Sequence, residues 1–255
     1  MKTIFMSFAL TAIVTTGLTA APYHFQSRTR QVTLLELYTS EGCSSCPPAE
    51  TWLNRLKESP QLWNDFVPVA FHVDYWNYLG WKDRWSAPEF SGRQHDYAQL
   101  WHGDNIYTPC YVLNGSEWHG WFLRREAPAP PGNDVGVLEV NSTDTNRWGV
   151  TFVPAKPLNE NLEIHASLLA GGLDSDVGAV ENNGRRLHHE FVVLDLVSIG
   201  IVNSNGIARG KFIIDTAHHS AEATLALAVW VTRPGELVPL QATGGWLTRP
   251  VAAPK

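Results

Sequence analysis

The chain has 255 residues, of which 44% are hydrophobic and 17% charged, and a formal net charge of −6 at neutral pH. This balance belongs to a globular chain and not a disordered one, and an acidic protein without a Lys/Arg-rich run is a poor partner for nucleic acid. Three cysteines are too few to staple a chain of this length, so they are read as chemistry and not as scaffold.

The first twenty residues read as a leader. Lys2 supplies a positive start, Ile4 to Leu18 is an apolar run broken only by Ser and Thr, and Leu18-Thr19-Ala20 ends in small residues. This predicts a signal peptide over 1–20 and an exported protein, periplasmic or extracellular. The run is short of the ~20 apolar residues that a spanning helix needs. No later stretch is longer, so no membrane partner is expected after cleavage. The remaining length predicts a first domain over 31–126 and a second over 134–250.

Val32 to Leu56, VTLLELYTSEGCSSCPPAETWLNRL, reads as a buried strand, a tight turn with Cys43 and Cys46 in C-x-x-C spacing, and an amphipathic helix. Ala49, Trp52, Leu53 and Leu56 recur at i, i+3, i+4 and i+7, one apolar stripe. Pro47 and Pro48 fall in the first turn, where a missing N–H costs little. Both cysteines thus lie near a helix N-terminus, where orphan N–H groups and the helix dipole favour a thiolate. Asp65 to Asp74 reads as a second strand, with Pro68 favouring an early or edge position. After the aromatic segment YWNYLGWKDRW, Ser86 and Glu89 match a capping box, and Phe90, Tyr97 and Trp101 mark one helical face. Tyr75 to Gly103 is therefore read as a helical insertion. Thr108-Pro109 precedes two strand-like runs that flank Asn114-Gly115, a strong hairpin signal, and a cis bond before Pro109 fits a tight turn there.

PAPPG at 128–132 reads as a stiff break. Beyond it, short β-rich runs separated by turns predict a β-sandwich-like C-terminal domain. Periodicity does not decide whether FVVLDLVSIGIV is strand or partly helix.

The order strand, C-x-x-C helix, strand, helix, Thr-Pro, hairpin resembles the thioredoxin superfamily. The string ELYTSEGCSSCPP…FHVDYWNYLGWKD…YTPCYVLNG is similar to one branch of exported bacterial proteins classed as a domain of unknown function. That resemblance covers residues 31–121, and ENNGRRLHH at 181–189 extends it. It implies an α/β thioredoxin-like domain with an aromatic helical insertion, ahead of the mostly-β domain. It also implies a cis-proline, Pro109, facing the cysteine pair. Glu36, a carboxylate in an otherwise apolar strand that must be paired or neutralised, lies near the place where a buried acid of thioredoxins assists proton transfer, so it is read either as that relay or as a structural pair.

On these grounds Cys43 is expected to attack and Cys46 to resolve a mixed disulfide with a protein or small thiol/disulfide substrate, without an organic cofactor. The plainer alternative is an inert disulfide or half of a zinc knuckle, for which only Cys110 remains as a further thiol. Cys110 is read as a buried inert thiol, or as a third redox thiol or metal ligand. His72 and Asp74 share one face at the end of the second strand, where they tune the thiols, bind metal or simply pair. Two other functions stay open: a copper- or zinc-handling protein using Cys43, Cys46 and Cys110 or His72, and a protein-binding module with a vestigial disulfide. His188-His189 and His218-His219 are not chelating pairs by themselves, because neighbours on a strand point to opposite faces.

Overall fold

The computed structural model describes residues 23–122, 129–142, 144, 146–216 and 224–247. The expected leader, the FLRREAP stretch beyond Phe122 and the His218-His219 pair fall outside them. The described elements are β1 (His24–Gln26), β2 (Thr33–Thr39), α1 (Cys46–Arg55), β3 (Phe66–His72), α2 (Pro88–Leu100), β4 (Cys110–Leu113) and β5 (Ser116–Glu117). There follow β6 (Gly136–Ser142), β7 (Arg147–Pro154), β8 (Leu162–Gly171), β9 (Leu173–Asp176), β10 (Arg186–His189), β11 (Val192–Ser204), β12 (Ile207–Ile213), β13 (Thr224–Thr232) and β14 (Gln241–Leu247).

Twelve of these strands form one mixed sheet, in the order β1-β6-β7-β12-β11-β3-β2-β4-β5, with β8 branching from β11 and carrying β13 and β14. β9 and β10 pair separately. β2 and β3 run parallel in register from Thr33↔Phe66 to Thr39↔His72, and β4 lies antiparallel on the other side of β2. β2 is buried along its whole length, as a strand covered on both faces must be. Leu35 and Leu37 face α1, packing with Ala49, Trp52, Leu53 and Leu56. Leu34 and Tyr38 face the side of α2, packing with Phe71, Phe90 and Tyr97. Each fully buried leucine contributes about 1.5–3 kcal/mol relative to exposure.

β13 supplies two cores by alternation: Leu225, Leu227, Val229 and Val231 meet Leu138, Val150 and Phe152 of β6 and β7, while Ala226, Ala228 and Trp230 join the core under α2. β6 and β7 alternate buried and half-exposed residues, the pattern of a layer wet on one face.

The expected α/β thioredoxin-like domain with a helical insertion, followed by a separate sandwich, is not what forms. The described residues are mostly strand, with two α-helices, and one sheet runs across the expected boundary between 126 and 134. The reason lies in FVVLDLVSIGIV, which is strand from Val192 onward, within β11. Val192 pairs in parallel with Ala70 of β3, and β11 continues antiparallel along β8 and then β12. A single long strand thereby ties the first half to the second.

Pro68 is the third residue of β3, early in the strand as read. β11 reaches β3 only at Ala70, so at Pro68 one side of β3 has no ladder for the missing N–H to break. The Ser86–Glu89 capping box is also absent. α2 begins at Pro88 with Ala87 as its N-cap and no side-chain cap, because the Ser86 hydroxyl donates to the Asp83 carbonyl instead. The hairpin forms as read, with Asn114 and Gly115 both at positive φ, 46° and 87°. Among the described residues, no helix is long and apolar enough to cross a membrane.

Candidate functional site

β2 and α1 deliver the cysteines. The chain leaves β2 at Thr39 and turns on two backbone bonds, Cys43 N–H to the Ser40 carbonyl and Cys46 N–H to the Cys43 carbonyl, each 3.2 Å. Cys43 and Cys46 form a disulfide with their Cα atoms 5.5 Å apart, and Cys46 opens α1. Pro47 and Pro48 follow at once, so the first turn offers fewer N–H donors than the bare motif suggests. Cys43 Sγ lies 3.3 Å from Ser45 Oγ and 3.7 Å from the Thr108 carbonyl. The Thr108–Pro109 bond is cis, and Trp76 Nε1 donates to Thr108 Oγ1 at 2.9 Å. Pro109 therefore follows directly on the carbonyl that faces Cys43.

Cys43 is not on the solvent side of the turn: its exposure is 1%. The loop between β9 and β10 is bonded to the turn that carries it. Asn182, fully buried, donates to the carbonyls of Glu41 and Cys43, both at 2.8 Å. Glu181 accepts from the Ser44 N–H at 2.9 Å and from the Ser44 hydroxyl at 2.7 Å. The ENNGRRLHH segment singled out from sequence is thus the roof of the cysteine turn and the strand that leaves it.

Beside the turn lies a buried cluster of acids and imidazoles. Asp83 Oδ2 meets His72 Nδ1 at 2.7 Å and accepts the Glu41 N–H at 3.0 Å. Glu50, one helical turn after Cys46, accepts from Thr39 Oγ1 and meets His189 Nδ1, both at 2.5 Å. Trp81 Nε1 donates to Glu41 Oε2 at 2.6 Å. Trp85 packs edge-on against His72 and His189, with ring centroids 5.5 and 4.9 Å away. Burial works against a charged His189, but the carboxylates of Glu50 and Glu41 outweigh it and hold the imidazole up at about 10. Burial likewise opposes a charged Glu50 and a charged Asp83, and the imidazoles of His189 and His72 overcome it, lowering both carboxyls. His72 Nε2, His189 Nε2 and Glu41 Oε1 nevertheless have no hydrogen-bond partner, an omission that costs about 1–3 kcal/mol for each buried polar atom. Glu41 Oε1 is 3.6 Å from His189 Nε2, an ion-pair distance and not a hydrogen bond.

The other sequence-derived residues are placed as follows. Glu36 is fully buried, and its carboxylate is held by Arg93 at 2.8 and 3.2 Å, Tyr97 at 2.5 Å and Tyr38 at 3.1 Å, with neither cysteine among these partners. Asp74 bonds Ser91, so the partner of His72 is Asp83. Cys110 is a buried free thiol whose neighbours are Tyr107, Gln94 and Glu117; burial pushes it up to about 12. Among the described residues, the group of three His, Cys, Asp or Glu ligand atoms close enough to share an ion is Glu50, His72 and His189, not the cysteines with Cys110 or His72. His188 and His189 diverge as strand neighbours should: His188 bonds Asp174 at the surface, while His189 is buried.

A family model described as "Protein of unknown function (DUF1223)" matches residues 34–232, from β2 through the end of β13. The chain belongs to the DUF1223 family. Among solved structures, this DUF1223 chain is similar to a crystal structure of an Agrobacterium tumefaciens protein, at 21% identity and a TM-score of 0.60, over 88% of this chain and 98% of that one. It is also similar to HBP35 of Porphyromonas gingivalis, at 16% identity and a TM-score of 0.57, over 89% of this chain and 79% of that one. At these identities the likeness is one of fold. No curated protein matches.

Within the DUF1223 match, sequence reasoning missed Glu41, Glu50, Asp83, Arg93, Glu181 and Asn182. Two signals were available: Glu50 directly follows Ala49 of the apolar stripe, and Asp83 is a carboxylate inside an aromatic run. Both are charges at positions that burial claims, and such charges need a partner.

Proposed function

We propose that this chain is an exported thiol–disulfide oxidoreductase that works through Cys43 and Cys46. The observation that carries this is the disulfide at the start of α1, with the Thr108 carbonyl 3.7 Å from Cys43 Sγ. A substrate thiolate attacks Cys43 Sγ, the Cys43–Cys46 bond breaks, and Cys46 leaves as a thiolate. A second substrate thiolate then attacks the mixed disulfide, releasing Cys43 as a thiolate and forming the substrate disulfide. Two electrons pass from the substrate dithiol to the cysteine pair, and the step reverses when a substrate disulfide is to be reduced. The helix dipole and the Ser45 hydroxyl favour the Cys43 thiolate.

Because Cys43 is buried in a turn bonded to the Glu181–Asn182 loop, attack requires that loop to lift. The contacts of Glu181 to Ser44 are at the surface, where such bonds are cheapest to break. Export, read from the leader, puts the protein in an oxidising compartment where a disulfide persists. The test is oxidation of a dithiol model peptide by the disulfide form of the full chain. Stoichiometric peptide disulfide is the expected result, and in the reverse direction reduced Cys46→Ser offered the peptide in its disulfide form should accumulate a Cys43–peptide mixed disulfide, since no Cys46 thiol is left to resolve it. No peptide oxidation, or full activity in Cys43→Ser, defeats the assignment.

A further inference from the structure

We propose that Glu50, His72 and His189 form a binding site for one zinc-type divalent cation, distinct from the cysteine pair and independent of disulfide exchange. The three residues converge from α1, β3 and β10, and each offers a ligand atom within 4.8 Å of the others. A tetrahedral zinc with bonds of about 2.0–2.2 Å needs ligand atoms about 3.3–3.6 Å apart, so side-chain ends must close by roughly an ångström. His72 is fixed in the manner of a metal-bound histidine: Asp83 takes Nδ1 at 2.7 Å, which leaves Nε2 as the free nitrogen. That Nε2 and the Nε2 of His189 are both buried without a hydrogen bond, and Glu41, 3.6 Å from His189 Nε2, lies beside the three ligands as a further negative charge and not as one of them.

Charge points the same way. Among the described residues the cluster gathers three carboxylates, Glu41, Glu50 and Asp83, around two imidazoles, and all five side chains are buried. Even with both imidazoles protonated the group keeps an excess negative charge, which a dication offsets. Two imidazole nitrogens with carboxylate oxygens suit zinc, and with Cys43 and Cys46 joined to each other no thiolate competes to draw a softer ion.

Isothermal titration of the full oxidised chain with ZnCl2 tests the site. One equivalent should bind with a Kd below about 1 µM. His72→Gln and His189→Gln should each weaken binding at least tenfold, and Cys43→Ser/Cys46→Ser should retain it. No binding overturns the proposal, as does binding unchanged in both histidine variants or lost with the cysteines. Should the histidine variants fail to fold, anomalous diffraction from wild-type crystals soaked in ZnCl2 decides. A peak between Glu50, His72 and His189 supports the site, and its absence there overturns it.

Discussion

At Glu36 a carboxylate with no solvent contact is answered by one guanidinium and two phenols. Removing one partner of a buried pair costs about 3–5 kcal/mol, because the remaining charge is stranded. Arg93→Met should therefore lower unfolding stability by about that amount in urea melts, with much of it recovered in Glu36→Gln/Arg93→Met; a loss under about 1 kcal/mol is inconsistent with this pairing. Cys110 offers a second residue-scale check. With burial pushing its thiol to about 12, iodoacetamide at pH 8 should leave it unmodified in the native protein and alkylate it after unfolding. Native labelling would show that the thiol is exposed and ionised. The sequence identified Glu36 as a charge in an apolar strand and Cys110 as a buried thiol, but not Arg93, since a lone arginine on a helix looks like any solvated one until its strand is packed beneath it.

On the scale of elements, β2, α1 and the Asn114-Gly115 hairpin were legible because their signals are local: an apolar run, an i/i+3/i+4/i+7 stripe, a turn dipeptide. The roof of the cysteine turn was not. Asn182 is 139 residues from Cys43, and nothing local says that its amide will bond two carbonyls of the cysteine turn. The roof has a kinetic consequence. Asn182→Ala removes both bonds, at a cost of about 1–3 kcal/mol for each acceptor left buried, and should speed reduction of the disulfide by dithiothreitol at least tenfold. An unchanged reduction rate would mean that the loop does not limit access to Cys43.

For the molecule as a whole, the expected two-part plan gave way to one sheet because β11 serves both halves, and a thirteen-residue strand of mixed periodicity carries no sign of its three partners. β8, paired with β11 on one side and β13 on the other, carries another buried titratable group. His165 on β8 bonds Ser198 at 2.7 Å and Thr232 at 3.1 Å, and burial, aided by Arg93, lowers it to about 3. Its unfolded value is about 6.5, so the native state gives up stability as pH falls from 6.5 toward 3, by up to about 1.4 kcal/mol per pH unit. His165→Gln should flatten this acid limb in denaturation midpoints measured from pH 7 to 4; an unchanged limb points to other groups. Disulfide exchange, by contrast, needs a bond that other thiols can open. Equilibrating the full chain in redox buffers of known potential measures that directly. An active pair should give a value between about −120 and −270 mV, whereas a value below about −300 mV would mark Cys43–Cys46 as a structural bridge and contradict the proposed function.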